Sequence, residues 1–139
     1  MAIMAVAVGV FAASLGAGAA LSRPLPDKKP HKGVAEAHKM PVQGIDVSYY
    51  QGDIDWRKVR DAGIHFAYIK ATEGGDRFDP KFRDNWRATK QAGIARGAYH
   101  FMYWCRPASE QATWYKAHVP EDDDALPPVL DVEWTTPSK

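Results

Sequence analysis

The sequence predicts an α/β protein in which parallel β-strands alternate with α-helices. After Pro41, short apolar runs alternate with amphipathic stretches in the order strand, helix, strand, helix, strand, helix, strand. Two successive helical stretches end in the same tripeptide, Ala-Gly-Ile, at residues 62–64 and 92–94. Their spacing of about 30 residues matches one β-α-β step. Because the chain has 139 residues, 45% of them apolar, we expect one globular domain.

Four strands are predicted from short apolar runs that are bounded by Gly, Pro or acidic residues, a pattern typical of parallel strands covered by helices. They comprise residues 44–48, 66–71, 97–102 and 129–134.

Two of the predicted helices have recognisable ends. Asp55 is expected to cap the first helix, which ends at Gly63. Asp79, followed by Pro80, is expected to cap the second, which ends at Gly93. A third helix is predicted from about residue 109 to residue 118.

The N-terminal segment differs from the rest of the chain. Residues 1–22 contain no charged side chain and are mostly Ala, Val, Gly and other apolar types. This composition predicts a signal peptide or a membrane anchor, and therefore an exported protein that is extracellular or periplasmic. Residues 23–41 are rich in Pro, Lys and His and are predicted to form a flexible linker. The folded domain is expected to comprise residues 42–139.

Charge and cysteine content exclude some classes of function. The 18 Lys and Arg residues nearly balance the 17 Asp and Glu residues, so there is no strong positive field to attract nucleic acid. The single cysteine, Cys105, cannot form a disulfide within the chain and is expected to be a small buried side chain. The two histidines of the linker, His31 and His38, lack further ligands at a metal-binding spacing, and the sequence predicts neither a metal nor a cofactor.

Acidic residues occur within or at the ends of the predicted strands, where parallel βα proteins hold their sites. Asp131 and Glu133 lie two apart in the fourth strand and so point to one side of the sheet. Burying two like charges together raises the pKa of at least one, as a general acid near neutral pH requires. Asp46 adds a third acid in the first strand, and Glu73 a fourth at the end of the second. An acid at a strand end also commonly pairs with a lysine such as Lys70, so both roles stay open for Glu73.

Paired carboxylates beside aromatic residues are typical of glycoside hydrolysis. The sequence has no glycine-rich phosphate loop, no Gly-x-Ser-x-Gly elbow and no His-Glu-x-x-His motif that would indicate another chemistry. Four motifs in order resemble the successive strand motifs of the family 25 lysozymes (glycoside hydrolase family 25, Chalaropsis-type N-acetylmuramidases). They are Gly-Ile-Asp-Val-Ser at 44–48, Tyr-Ile-Lys-Ala-Thr-Glu-Gly at 68–74, Gly-Ala-Tyr-His-Phe at 97–101 and Leu-Asp-Val-Glu-Trp at 130–134.

This resemblance implies a TIM-like β/α barrel, of which the chain carries about the first four strands. It implies cleavage of the β-1,4 bond between N-acetylmuramic acid and N-acetylglucosamine in peptidoglycan. Glu133 matches the family's general acid, and Asp131 and Asp46 match its other active-site acids. Attack by the substrate's own acetamido oxygen and direct attack by a carboxylate, which requires the two acids to be about 5 Å apart, both stay open. The resemblance also implies substrate contacts for Glu73, Tyr99 and Trp134.

Because the family's barrel has eight strands, the sequence also leaves a second function open. A chain with about four strands would expose the edges of its sheet, and we expect it to be poorly stable, self-associating or inactive. The alternative to a hydrolase is therefore a truncated peptidoglycan-binding remnant without turnover.

Overall fold

The structure is a computed structural model that describes Glu36 and residues 39–133. The predicted signal peptide or membrane anchor at residues 1–22, most of the predicted linker and Trp134 lie outside the described residues. Within the described part of the chain, no helix is long and apolar enough to cross a membrane.

The structure confirms the predicted alternation of strands and helices. Its strands are β1 (Gln43–Val47), β2 (Ile64–Glu73), β3 (Arg77–Phe78), β4 (Ala95–Phe101) and β5 (Val129–Asp131). Its helices are α1 (Trp56–Asp61), α2 (Phe82–Gln91) and α3 (Ala108–His118), and a 3-10 turn (Tyr49–Gln51) follows β1. The strand order is β1-β2-β4-β5, and each of these neighbouring pairs is parallel. The short β3 pairs antiparallel with β2.

One face of the curled sheet packs against the helices. Its apolar residues form one core with the large rings of α1 and α2; the core comprises Val47, Trp56, Ala67, Ile69, Ala71, Phe82, Trp86, Ile94 and Ala98. The indole Nε1 of Trp56 donates to Asn85 Oδ1 at 3.1 Å and so joins α1 to α2. Because side chains alternate along a strand, the opposite face carries the residues in between. In the parallel register these include Asp46 beside Tyr68 and Lys70 beside Tyr99.

Contacts with the acidic turn before β5 hold that strand beside β4. Arg96 forms a buried ion pair with Asp122, and its guanidinium lies 4.4 Å from the centre of the Trp86 ring. The Leu126 amide donates to the Arg96 carbonyl at 2.8 Å, and the Tyr68 hydroxyl donates to the carbonyl of Pro127 at 3.2 Å. The turn is therefore fixed on both faces of the sheet, which sets the position of the acids that follow.

The predicted helix ends were correct in three of four cases. Asp55 caps α1, since its Oδ1 accepts from the Lys58 amide at 3.2 Å. Gly63 and Gly93 end α1 and α2 with φ angles of 89° and 70°, a backbone conformation that favours glycine. The Asp79 cap was wrong, because α2 begins only at Phe82.

Asp79 instead still belongs to the hairpin of β2 and β3, because its amide donates to the Ala71 carbonyl of β2 at 2.9 Å. Its side chain joins two turns. Its carboxylate accepts from the amides of Tyr49 and Lys81, both at 2.9 Å. Cys105 was also predicted wrongly, since its side chain is exposed. It lies in the turn between β4 and α3, beyond the buried part of the apolar run.

Candidate active site

Three of the predicted acids lie within electrostatic range of one another at the carboxyl edge of the sheet. Asp46 lies in β1, Asp131 is the last residue of β5, and Glu133 follows two residues later. Strands β1 and β5 have β2 and β4 between them, so a flat sheet would separate them by about 14 Å. The charge of Glu133 nevertheless raises the pKa of both aspartates, and that of Asp46 raises the pKa of Asp131. The curl of the sheet brings the acids of its two edges within electrostatic range.

The environment of the two aspartates favours their protonated forms. Burial, followed by the charges of Glu133 and Asp46, raises the pKa of Asp131 to about 6, against a partial lowering by Lys70. Burial is also the main reason that the pKa of Asp46 is raised, with the charge of Glu133 adding to it. The Oδ1 atom of Asp46 is buried and has no hydrogen-bond partner among the described residues, which is uncommon for a buried oxygen. Asp131 therefore shows the raised pKa that was expected of at least one member of the Asp131 and Glu133 pair.

Tyr99 lies on β4 between the strands that carry these acids. Its side chain is buried, and its register partners are Lys70 on β2 and Val129 on β5. Burial, then the negative charges of Asp46 and Asp131, raise the pKa of Tyr99 above its ordinary value. The phenol consequently keeps its proton and is available as a hydrogen-bond donor.

Glu73 forms the ion pair with Lys70 that the sequence left open. Its Oε2 lies 2.6 Å from Lys70 Nζ, while the Tyr103 hydroxyl donates to its Oε1 and Arg77 lies 3.8 Å away. Burial tends to raise the pKa of Glu73, but the hydrogen bonds from Lys70 and Tyr103 and the nearby positive charges outweigh it, and the pKa is lowered. Because Lys70 also lowers the pKa of Asp131, it links Glu73 electrostatically to the three acids Asp46, Asp131 and Glu133, here called the acid group.

The sequence analysis missed a buried glutamine that fixes the loop after β4. Gln111 Oε1 accepts from the Tyr103 amide at 2.9 Å, and its Nε2 donates to the carbonyls of Tyr103 and Arg106 at 3.0 and 2.9 Å. The same Oε1 lies 3.1 Å from His100 Nε2, so with this amide orientation His100 donates there. The Nδ1 atom of His100 then accepts from the Thr72 hydroxyl at 2.8 Å.

The loop that Gln111 holds reaches the acid group through Trp104. The indole Nε1 of Trp104 donates to the backbone carbonyl of Glu133 at 3.0 Å. A signal in the sequence was available, because Gln111 shares a helix face with Tyr115 and His118 at spacings of four and seven residues. A polar side chain on such a face needs buried partners.

Trp134 lies outside the described residues, so its predicted contact with the substrate stays a prediction. Within the described ranges, no three His, Cys, Asp or Glu side chains lie close enough together to hold a metal ion.

The fold and this acid group define an α/β protein whose polar site lies at the carboxyl ends of parallel strands. Residues 45–139 match the sequence model of the glycosyl hydrolases family 25, and the chain belongs to this family. The resemblance noted from the four strand motifs is thereby confirmed.

Three relatives illustrate the extent of the match. Lysozyme M1 of Streptomyces globisporus is 40% identical over 133 residues, which cover 91% of this chain and 44% of that protein. A solved family 25 glycosyl hydrolase from Bacillus anthracis is 42% identical with a TM-score of 0.67, covering 68% of this chain and 44% of that one. A solved bacterial lysozyme from Streptomyces coelicolor is also 42% identical, with a TM-score of 0.66 over 72% of this chain and 48% of its own. The chain thus spans less than half the length of these relatives.

Proposed function

We propose that this chain contributes the first part of the catalytic domain of a muramidase, a glycosidase that cleaves the β-1,4 bond between N-acetylmuramic acid and N-acetylglucosamine in peptidoglycan. The observation that carries the proposal is the convergence of Asp46, Asp131 and Glu133 at one edge of the curled sheet, where burial and mutual repulsion raise the pKa of both aspartates. The parallel sheet and its helices would be the first four strands of a TIM-like β/α barrel. Membership of family 25 and the lysozyme relatives support this function.

Glu133 is the proposed general acid that protonates the departing glycosidic oxygen. Its carboxylate is exposed at the end of β5, where a glycan can reach it. Asp131 and Asp46 are proposed to orient and stabilise the reacting sugar, on which positive charge develops in the transition state. The pKa of Asp131, raised to about 6, suits a group that shares a proton with a ligand near neutral pH, and the pKa of Asp46 is raised in the same direction. Tyr99 would donate its hydroxyl hydrogen within the same group.

Glu73 and Trp134 complete the proposed substrate contacts. The Glu73 carboxylate is fixed by Lys70 and Tyr103, so it would present one defined orientation to the sugar. We propose no metal or cofactor, because the acids supply both proton transfer and charge stabilisation.

The division of the chain into a signal peptide or anchor at 1–22, a linker at 23–41 and the catalytic part from residue 42 belongs to the same proposal. Its substrate, the glycan strand of peptidoglycan, lies outside the cytoplasm. An uncharged apolar segment at the N-terminus fits a protein exported to reach it, and it would serve either as a cleaved signal or as a membrane anchor.

Release of reducing sugar from purified peptidoglycan tests this function. We expect the complete catalytic domain to release sugar and its Glu133→Gln variant to release none while still being retained on insoluble peptidoglycan, because glutamine keeps the shape but carries no acidic proton. Retention without release by both proteins would instead indicate a peptidoglycan-binding module. Neither retention nor release would contradict both functions.

A further inference from the structure

Glu133 lies just beyond the part of its strand that the sheet holds. The pairing of β4 with β5 ends at Phe101 and Asp131, and the Met102 amide donates to the Asp131 carbonyl at 3.0 Å. Glu133 follows two residues later, outside β5, and it is exposed. Neither strand pairing nor burial therefore fixes the distance from the Glu133 carboxylate to the two aspartates of the acid group.

One side chain reaches past the end of the paired strands to this segment. The indole Nε1 of Trp104 donates to the backbone carbonyl of Glu133 at 3.0 Å. Trp104 is 56% exposed, so its ring lies on the surface and is not a member of the apolar core. Because the bond is made to the backbone of Glu133, it restrains this residue without occupying the carboxylate oxygens that a general acid needs for proton transfer.

The loop that carries Trp104 is anchored on both sides of this residue. The buried Gln111 bonds to the amide and the carbonyl of Tyr103 and to the carbonyl of Arg106. The Arg106 guanidinium also donates to Asp76, in the turn between β2 and β3, at 2.8 Å. The indole is therefore presented from a fixed backbone, and a donor on such a backbone can hold its acceptor in one place.

The charges of the acid group show what this restraint would control. The charge of Glu133 raises the pKa of both Asp131 and Asp46, and the size of such an effect depends on how near the charge is held. The positive charge that opposes it at Asp131 belongs to Lys70 on β2, which is not part of the loop. A general acid also requires a defined position relative to the oxygen that it protonates.

We propose that Trp104 is a positioning residue for the general acid: its indole continues the hydrogen bonding of the sheet beyond β5 and so holds Glu133 at a fixed distance from Asp131 and Asp46. The inference rests on the proposed function and adds to it a residue that acts through Glu133 and not on the sugar.

The test compares two tryptophans that make the same kind of bond in different places. The indole of Trp114 also donates to a backbone carbonyl, that of Arg77 on β3, at 2.8 Å. Trp104→Phe and Trp114→Phe each lose one such bond and keep an aromatic ring. Carboxyl titrations of the full chain, followed by NMR, should show the Asp131 pKa below its parent value of about 6 in Trp104→Phe, because the Glu133 charge is no longer held nearby. Trp114→Phe should leave this pKa unchanged.

A kinetic comparison separates positioning from sugar binding. In the complete catalytic domain, Trp104→Phe is expected to lower kcat about tenfold and to change KM for soluble peptidoglycan fragments less than about twofold, because the acid is misplaced while the sugar contacts remain. Trp114→Phe should change neither constant. A raised KM at unchanged kcat would make Trp104 a sugar contact and refute the positioning role.

The outcomes separate this inference from the proposed function. An Asp131 pKa that is the same in Trp104→Phe and in the parent chain would refute the positioning role, whether or not the domain cleaves glycan. A lowered pKa in a protein whose complete domain releases no sugar would support the hold on Glu133 and contradict the proposed function. If Trp104→Phe does not fold, hydrogen exchange in the unmodified chain provides the test. A protected Trp104 indole hydrogen supports the proposal, and one that exchanges as fast as that of free indole refutes it.

Discussion

Replacing Asp131 with asparagine should stabilise the protein at neutral pH and have little effect in acid. The reason is the environment of the carboxyl group, whose pKa is raised from 3.8 to about 6 by burial and by the charges of Glu133 and Asp46. The ionised form therefore carries an energetic penalty in the folded protein that it does not carry in the unfolded chain. Asparagine has nearly the same shape but no charge, so the variant does not pay this penalty at any pH.

The sign and size of the effect follow from the two pKa values. A carboxyl group with a higher pKa in the folded state binds its proton more tightly there, so the stability it contributes is complete below pH of about 4 and is lost as the pH rises to about 6. A shift of about 2 pKa units corresponds to at most about 3 kcal/mol. Because Asp131 is only half-buried, solvent screening reduces the expected difference to about 1 to 2 kcal/mol.

The assay is urea unfolding of the parent chain and of Asp131→Asn at pH about 3.5 and pH about 7, followed by circular dichroism. The free-energy advantage of the variant should be near zero at the lower pH and appear at the higher one. Asp53→Asn is the matched control with the opposite sign, because the hydrogen bond from Lys81 lowers the pKa of exposed Asp53. An advantage of Asp131→Asn that is the same at both pH values would refute the reasoning.

Three further substitutions test other parts of the structure. Gln111→Leu leaves the buried polar groups that now bond to this glutamine without partners. We expect its free energy of unfolding to fall by about 3 kcal/mol or more. Gln91→Leu, at an exposed glutamine, is the control and should change it by less than about 0.5 kcal/mol. Gly97→Ala places a methyl group against the Tyr68 ring and should lower the thermal unfolding midpoint, at a cost of about 1 to 3 kcal/mol; an unchanged midpoint would contradict this packing. Lys70→Met removes a positive charge that lowers the pKa of Asp131, so a carboxyl titration followed by NMR should show that pKa moving up, and a downward shift would contradict the electrostatic link.

The strand pattern could be predicted from the sequence because local residue types determine it. Each parallel strand is a short apolar run, and the glycines at 63 and 93 end their helices with positive φ angles. The end of α2 was predictable and its start was not, since Asp79 has the residue type of a cap but bonds to the amide of Tyr49, 30 residues away. Only the tertiary structure determines such a choice of partner.

The acids of the candidate site were also found from the sequence, because charged residues within or beside apolar runs are conspicuous. The predicted fourth strand was too long, since β5 ends at Asp131 and Glu133 follows it. Their supporting contacts were not found. Tyr103, Trp104 and Gln111 act through the loop after β4, and its path depends on hydrogen bonds between side chain and backbone that no periodicity indicates. The pairing of Glu73 with Lys70 was foreseen only as one of two possibilities.

The most direct test of the proposed function is the release of reducing sugar from purified peptidoglycan by the chain and by its Glu133→Gln variant, with Asp123→Asn, an exposed acid in the turn before β5, as a control. The account predicts that the sugar released by the chain is also released by the control variant and is not released by Glu133→Gln. Release by Glu133→Gln at the rate of the parent chain would contradict the assignment of Glu133 as the general acid.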